Sequence, residues 1–126
     1  MIKVVHLLRF LVLLFLLTAF GCGKPLPEFS DMNLETWKTD KKGCDGARQS
    51  MIEPLKNQWQ KLQGLSEMQI IDLLGRPDEY DLGKRHQKFF GYWLAPGLPC
   101  GLGNHIPMKL SIRFNATGAA KEISVE

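Results

Sequence analysis

The chain has 126 residues, 44% of them hydrophobic and 23% charged, with 12 glycines and 7 prolines. This suits one small globular domain and excludes a disordered chain or a multidomain enzyme. The net charge is +3, and residues 1–21 supply Lys3 and Arg9 without an acid, so the rest carries only +1 and makes no electrostatic case for nucleic acid as a partner.

In chain order, Lys3, His6 and Arg9 precede a purely apolar run at residues 10–17. A charged head before a short apolar core predicts a secretory signal peptide over residues 1–21. The alternative is a retained anchor, although a span needs about 20 apolar residues and Arg9 interrupts this one early. The apolar core ends in Thr18-Ala19-Phe20-Gly21-Cys22. That segment resembles the lipobox of bacterial lipoproteins, with Ala19 where leucine is usual. The resemblance implies cleavage before Cys22, diacylglycerol on its thiol and an acyl group on its amine. An ordinary cut near Ala19 or Gly21 is the alternative. Stable anchoring takes at least two acyl chains, each buried methylene contributing about 0.8 kcal/mol, so a triacylated Cys22 would hold the domain on a membrane without a spanning helix. Gly23 in place of aspartate implies, within the same resemblance, the outer membrane of a two-membrane cell.

Cys22, Cys44 and Cys100 are the three cysteines. With Cys22 lipidated, Cys44 and Cys100 form an even pair in an oxidising compartment, and a disulfide is expected; two unpaired thiols are the alternative.

Residues 22–33 contain two prolines and read as a tether, leaving residues 34–126 as the domain. A short helix can begin at Leu34, capped by Asn33 or Asp31, with Leu34 and Trp37 docking on the core. Residues 39–46 read as a polar loop that Cys44 would staple down. Residues 48–63 carry a helical stripe of Met51, Leu55, Trp59 and Leu62, tolerable if Pro54 falls in the first turn. The next helix has both ends written in the sequence. Ser66 and Gln69 form a capping box, Leu65 and Ile70 a hydrophobic staple, Gly75 a left-handed C-terminal cap, and Pro77 a stop, so Glu67–Leu74 is helical.

Strand signals follow. Glu79–Leu82 reads as a short strand. Residues 87–94 alternate Phe90, Tyr92 and Leu94 against Phe89, Gly91 and Trp93. Residues 108–114 alternate Met108, Leu110, Ile112 and Phe114 against Lys109, Ser111 and Arg113. Residues 115–118 form a hairpin turn, and residues 121–125 return with Ile123 and Val125 inward. Helices followed by strands predict an α+β fold with an antiparallel meander.

Little here suggests catalysis. His86 and His105 have no metal-ligand spacing with the cysteines, and no phosphate-cradling glycine motif is present. A Cys–His nucleophile across distant sequence is the remote alternative. Ser66 is explained as a cap. Asp78, Glu79 and Asp81 read as a solvated edge. We therefore expect no catalytic residue, no metal and no cofactor. Binding is the better reading. Helices can cover one sheet face only, so either Phe89 and Trp93 are exposed as a contact surface for a partner protein or membrane, or residues 29–37 and the Cys100 loop wrap over them. Lys84 and Arg85, with His86 and Lys88, are candidate contacts to anionic headgroups or simply a solvated hairpin tip.

The segment Gly64-Leu-Ser-Glu-Met-Gln-Ile-Ile-Asp-Leu-Leu-Gly-Arg-Pro77, followed by the aromatic strand Phe90-Gly-Tyr92-Trp93 and the alternating strand Leu110-Ser-Ile-Arg-Phe114, resembles the SmpA/OmlA (BamE-like) family of outer-membrane lipoproteins. The likeness covers residues 64–126. It implies two short helices packed on a three-stranded antiparallel sheet, lipid-anchored display on the periplasmic face of the outer membrane, and a binding or scaffold role beside envelope or β-barrel assembly proteins. The alternative is a soluble secreted binder or inhibitor of the same fold.

Overall fold

In a computed structural model the chain is described over residues 1–17 and 25–126. Its first element, α1 (Ile2–Leu17), carries the apolar run, and its side chains are exposed through Leu16. No helix among the described residues is long and apolar enough to cross a membrane.

The domain is α+β. Three short helices, α2 (Leu34–Thr39), α3 (Ile52–Gln58) and α4 (Glu67–Leu74), precede four strands, β1 (Glu79–Leu82), β2 (Lys88–Trp93), β3 (Lys109–Phe114) and β4 (Ala120–Val125). The strands form one antiparallel meander in the order β1-β2-β3-β4. The sheet therefore has the four strands read from the residues, where the family resemblance implied three. Glu79–Leu82 pairs in full with residues 88–91, because Gly83 turns the chain back by donating its N–H to the Gln87 carbonyl at 2.7 Å. The domain likewise has three short helices, as the residue patterns indicate, where the resemblance implied two. The Asn33 side chain accepts from the Thr36 N–H at 3.1 Å and so starts α2 as a separate element.

Local chemistry accounts for the helix boundaries. Both arms of the capping box close on α4, Gln69 N–H to the Ser66 hydroxyl at 3.2 Å and Ser66 N–H to Gln69 Oε1 at 2.9 Å. Leu65 and Ile70 are fully buried beside it. Gly75 ends α4 with φ +77° and ψ −177°, an extended mirror-image conformation open to glycine and distinct from the left-handed cap expected. The stripe over residues 48–63 splits into a 3-10 turn at Gln49–Met51, then α3, then a 3-10 turn at Trp59–Leu62; Pro54 lies in the first turn of α3, where its missing N–H costs nothing.

The helices cover the inner sheet face. Trp37, Leu55, Leu62, Leu65, Ile70 and Leu74 meet Phe90, Tyr92, Leu94, Leu110, Ile112 and Phe114 there. Phe90 and Phe114 pack edge-on at 4.7 Å.

A charged pair lies inside this core. Arg48 and Asp78 form an ion pair at 2.6 Å with side chains 1% and 4% exposed. Arg48 Nε donates to the Trp37 carbonyl at 3.0 Å and Nη1 to the Trp93 carbonyl at 3.0 Å. Its guanidinium stacks 4.9 Å from the Trp37 ring centroid. Asp78 accepts from the Trp93 N–H at 2.9 Å and the Lys42 N–H at 3.1 Å. Asp40, also buried, accepts from the N–H groups of Arg48 at 2.8 Å and Asp45 at 2.7 Å. Asp78 is thus not part of a solvated edge. Every buried side-chain N and O among the described residues has a partner.

Arg48→Ala leaves the Asp78 carboxylate buried without its counter-charge. It should cost about 3–5 kcal/mol, read as a lowered urea midpoint with an unchanged slope.

Tyr92 lies beside the pair and donates its hydroxyl to the Gly75 carbonyl at 2.9 Å. Burial, and secondarily the Asp78 charge, push its phenol well above the ordinary tyrosine range. A phenol that stays neutral in the fold gives stability that is complete below about pH 10 and is lost as the pH rises toward the folded value. In a Tyr80→Phe chain, phenolate absorbance should appear only well above pH 10 and together with unfolding.

Candidate interaction surface

The opposite sheet face carries Phe89, Gly91 and Trp93 of β2 between Glu79 and Asp81 of β1 and Lys109, Ser111 and Arg113 of β3. Phe89 and Trp93 are half-buried. Residues 29–37 do not cover them. Phe29 packs under the Lys61 ammonium at 5.6 Å, Ser30 pairs with Gln58, and Trp37 belongs to the inner core. The wrapping expected of that segment fails because Asn33 and Trp37 commit it to α2 on the helical side.

Polar side chains cover the face instead. Glu79 and Lys109 reach across β2 to form an ion pair at 3.1 Å above Gly91, where an added Cβ would stand 3.2 Å from both side chains. The Lys109 ammonium also lies 5.0 Å over the Trp93 ring. Phe89 is held from below by Gly83, at which a Cβ would come within 2.8 Å of the ring. The result is a shallow hollow of about 170 Å³ floored by Gly91 and walled by Phe89, Glu79 and Lys109. Arg113 and Glu122 pair at 2.6 Å beside it. The Arg113 hydrogen bond holds the Glu122 carboxyl below the usual carboxylate range.

The four residues expected to act together are not gathered. Lys84 and Arg85 sit exposed in the turn between β1 and β2, where Arg85 has φ +63° and His86 φ +59°. That tip adjoins the Phe89 end of β2. Trp93 is at the far end, where it lines a surface hollow with Ile106, Pro107 and Met108 of the loop from β2 to β3. Lys88 points to the helical side, and its bond to Glu67 at 3.2 Å raises its ammonium above the ordinary value.

Cys44 and Cys100 stand at disulfide distance, with sulfurs 2.01 Å apart and Cα atoms 5.7 Å apart. They tie the polar loop after α2 to the β2–β3 loop. The contact is close enough that Gly43, at φ +67°, would place a Cβ 2.8 Å from the Ala95 nitrogen. Cys22 lies outside the described residues. Among those residues no cluster of His, Cys, Asp and Glu could hold a metal ion.

Two features escaped the sequence reading. Arg48 sits in a helical stripe where a charge reads as solvent-facing, and its partner is 30 residues away. The Glu79–Lys109 bridge depends on strand register, although Gly91 between two aromatics was its one visible trace.

No family model, curated protein or solved structure matches the chain.

The bond between residues 44 and 100 closes a loop spanning 56 positions. Its removal in a Cys44→Ala/Cys100→Ala chain should cost about 4 kcal/mol, measured as the drop in unfolding free energy against the oxidised chain.

Proposed function

We propose that the chain is an exported lipoprotein of the cell envelope, held by acylated Cys22 at the periplasmic face of the outer membrane, whose work is contact and not turnover. The observation that carries this reading is the use of the other two thiols: with Cys44 and Cys100 at bonding distance, Cys22 is the odd cysteine, and it lies in the uncharged segment that follows the apolar run of residues 10–17. The lipid is covalent diacylglycerol on its thiol with a third acyl chain on its amine. The partners are the membrane, through that anchor, and proteins of envelope or β-barrel assembly.

A SmpA/OmlA-like (BamE-like) fold is part of the proposal. Its support is the capped helix α4 followed by aromatic and alternating strands in the order that family shows. The signal peptide, residues 1–21, is supported by the charged head and short apolar core. The binding face is the row Phe89–Trp93 with the basic tip at Lys84 and Arg85. Its support is that Phe89 and Trp93, though flanked by the Glu79–Lys109 pair, are only half-buried on a sheet face that no helix covers.

Expressed in a two-membrane bacterium, the chain should partition with membranes, and mass spectrometry should find a triacylated Cys22 as its first residue. Cys22→Ser should move it to the soluble fraction or leave the leader uncut. An unmodified amino terminus in the wild-type chain would overturn the anchor.

A further inference from the structure

β1 is an edge strand. Among the described residues no backbone hydrogen bond reaches its outer side, and all four of its residues are exposed. Tyr80 and Leu82, on the inner face, are 53% and 57% exposed. Open edges carrying apolar side chains pair readily with other strands. The other edge differs: the start of β4 is covered by residues 64–66, through Ala120 N–H to the Leu65 carbonyl and Gly64 N–H to the Ala120 carbonyl, both at 2.8 Å.

The charge pattern of β1 selects among partners. Outward positions are Glu79 and Asp81, and Asp81 has no ion pair among the described residues. Two copies pairing antiparallel about a two-fold axis must match like faces, so outward residues oppose outward residues. Every such register that joins three residues of β1 sets Asp81 against Asp81 or Glu79 against Asp81. Like charges directly opposite each other are destabilising. A second copy is therefore disfavoured, and a strand with cations at those positions is favoured.

We propose that the β1 edge accepts, as an added strand, an extended segment of another protein in which apolar residues alternate with Lys or Arg. The apolar residues would lie beside Tyr80 and Leu82, the cations opposite Glu79 and Asp81, and backbone hydrogen bonds would supply the affinity. This deepens the contact role proposed above and rests on it. Acylation of Cys22 can fail without affecting this edge, so the two results are separable.

The test uses the full chain, isotope-labelled in zwitterionic detergent, and two probe peptides, one alternating lysine and valine and one alternating glutamate and valine. The lysine peptide should shift the backbone amides of Glu79–Leu82 and bind about tenfold tighter than the glutamate peptide, with the preference shrinking at high salt. Asp81→Lys, at an exposed position that does not threaten folding, should erase or reverse the preference. Equal binding of both peptides, shifts confined to Lys84–His86 or to the Phe89–Trp93 face, or no shift at all would overturn the proposal.

Discussion

One buried charge pair holds the helical layer, the two loops and the sheet in a single arrangement. The Arg48 guanidinium donates hydrogen bonds to α2, at the Trp37 carbonyl, and to the end of β2, at the Trp93 carbonyl, while its charge meets Asp78 just ahead of β1. Asp78 answers with bonds from Trp93 and Lys42. Desolvating two ions costs several kcal/mol each, and only close geometry with every polar atom satisfied recovers it. The pair is therefore weak evidence for net stability, while any packing that displaces one member strands the other in the core.

This arrangement explains why the polar loop after α2 is ordered. It is short of apolar residues and could not pack on its own account. Asp40 satisfies the N–H groups of Arg48 and Asp45, Asp78 takes that of Lys42, and the Cys44–Cys100 bond ties the loop to the sheet end. Gly43 permits the close approach that lets all of these form together. Charge pairing and covalent closure thus replace the hydrophobic burial that a domain of this size has little surface to supply.

What the sequence revealed was what lies close along it. Helix α4 was legible to its last residue because cap, staple and stop are separated by a few positions. β3 was legible because one face is buried and the other is not, so residues alternate. Asp78 misled because its neighbours Glu79 and Asp81 are truly exposed, and nothing local separates a carboxylate before a strand from those within it. The cover over the outer face was equally hidden. Which lysine meets which glutamate across β2 follows from register, and register is a property of the assembled sheet. Cys44 and Cys100 do stand at disulfide distance, the pair that the cysteine count leaves once Cys22 is set aside, and a count needs no distance.

The same buried pair bears on the exposed edge. β1 is only four residues long and every one is solvent-facing, which ordinarily makes for a frayed strand. Asp78 immediately precedes it, locked by Arg48 on one side and by the Trp93 N–H on the other, while Gly83 closes its far end onto Gln87. The strand is therefore fixed at both ends by groups outside itself, and Asp81 at its centre forms no ion pair among the described residues. An extended partner meeting a pre-ordered edge loses less entropy on pairing than one that must order it first. The buried pair thus orders the start of an exposed, acidic edge strand.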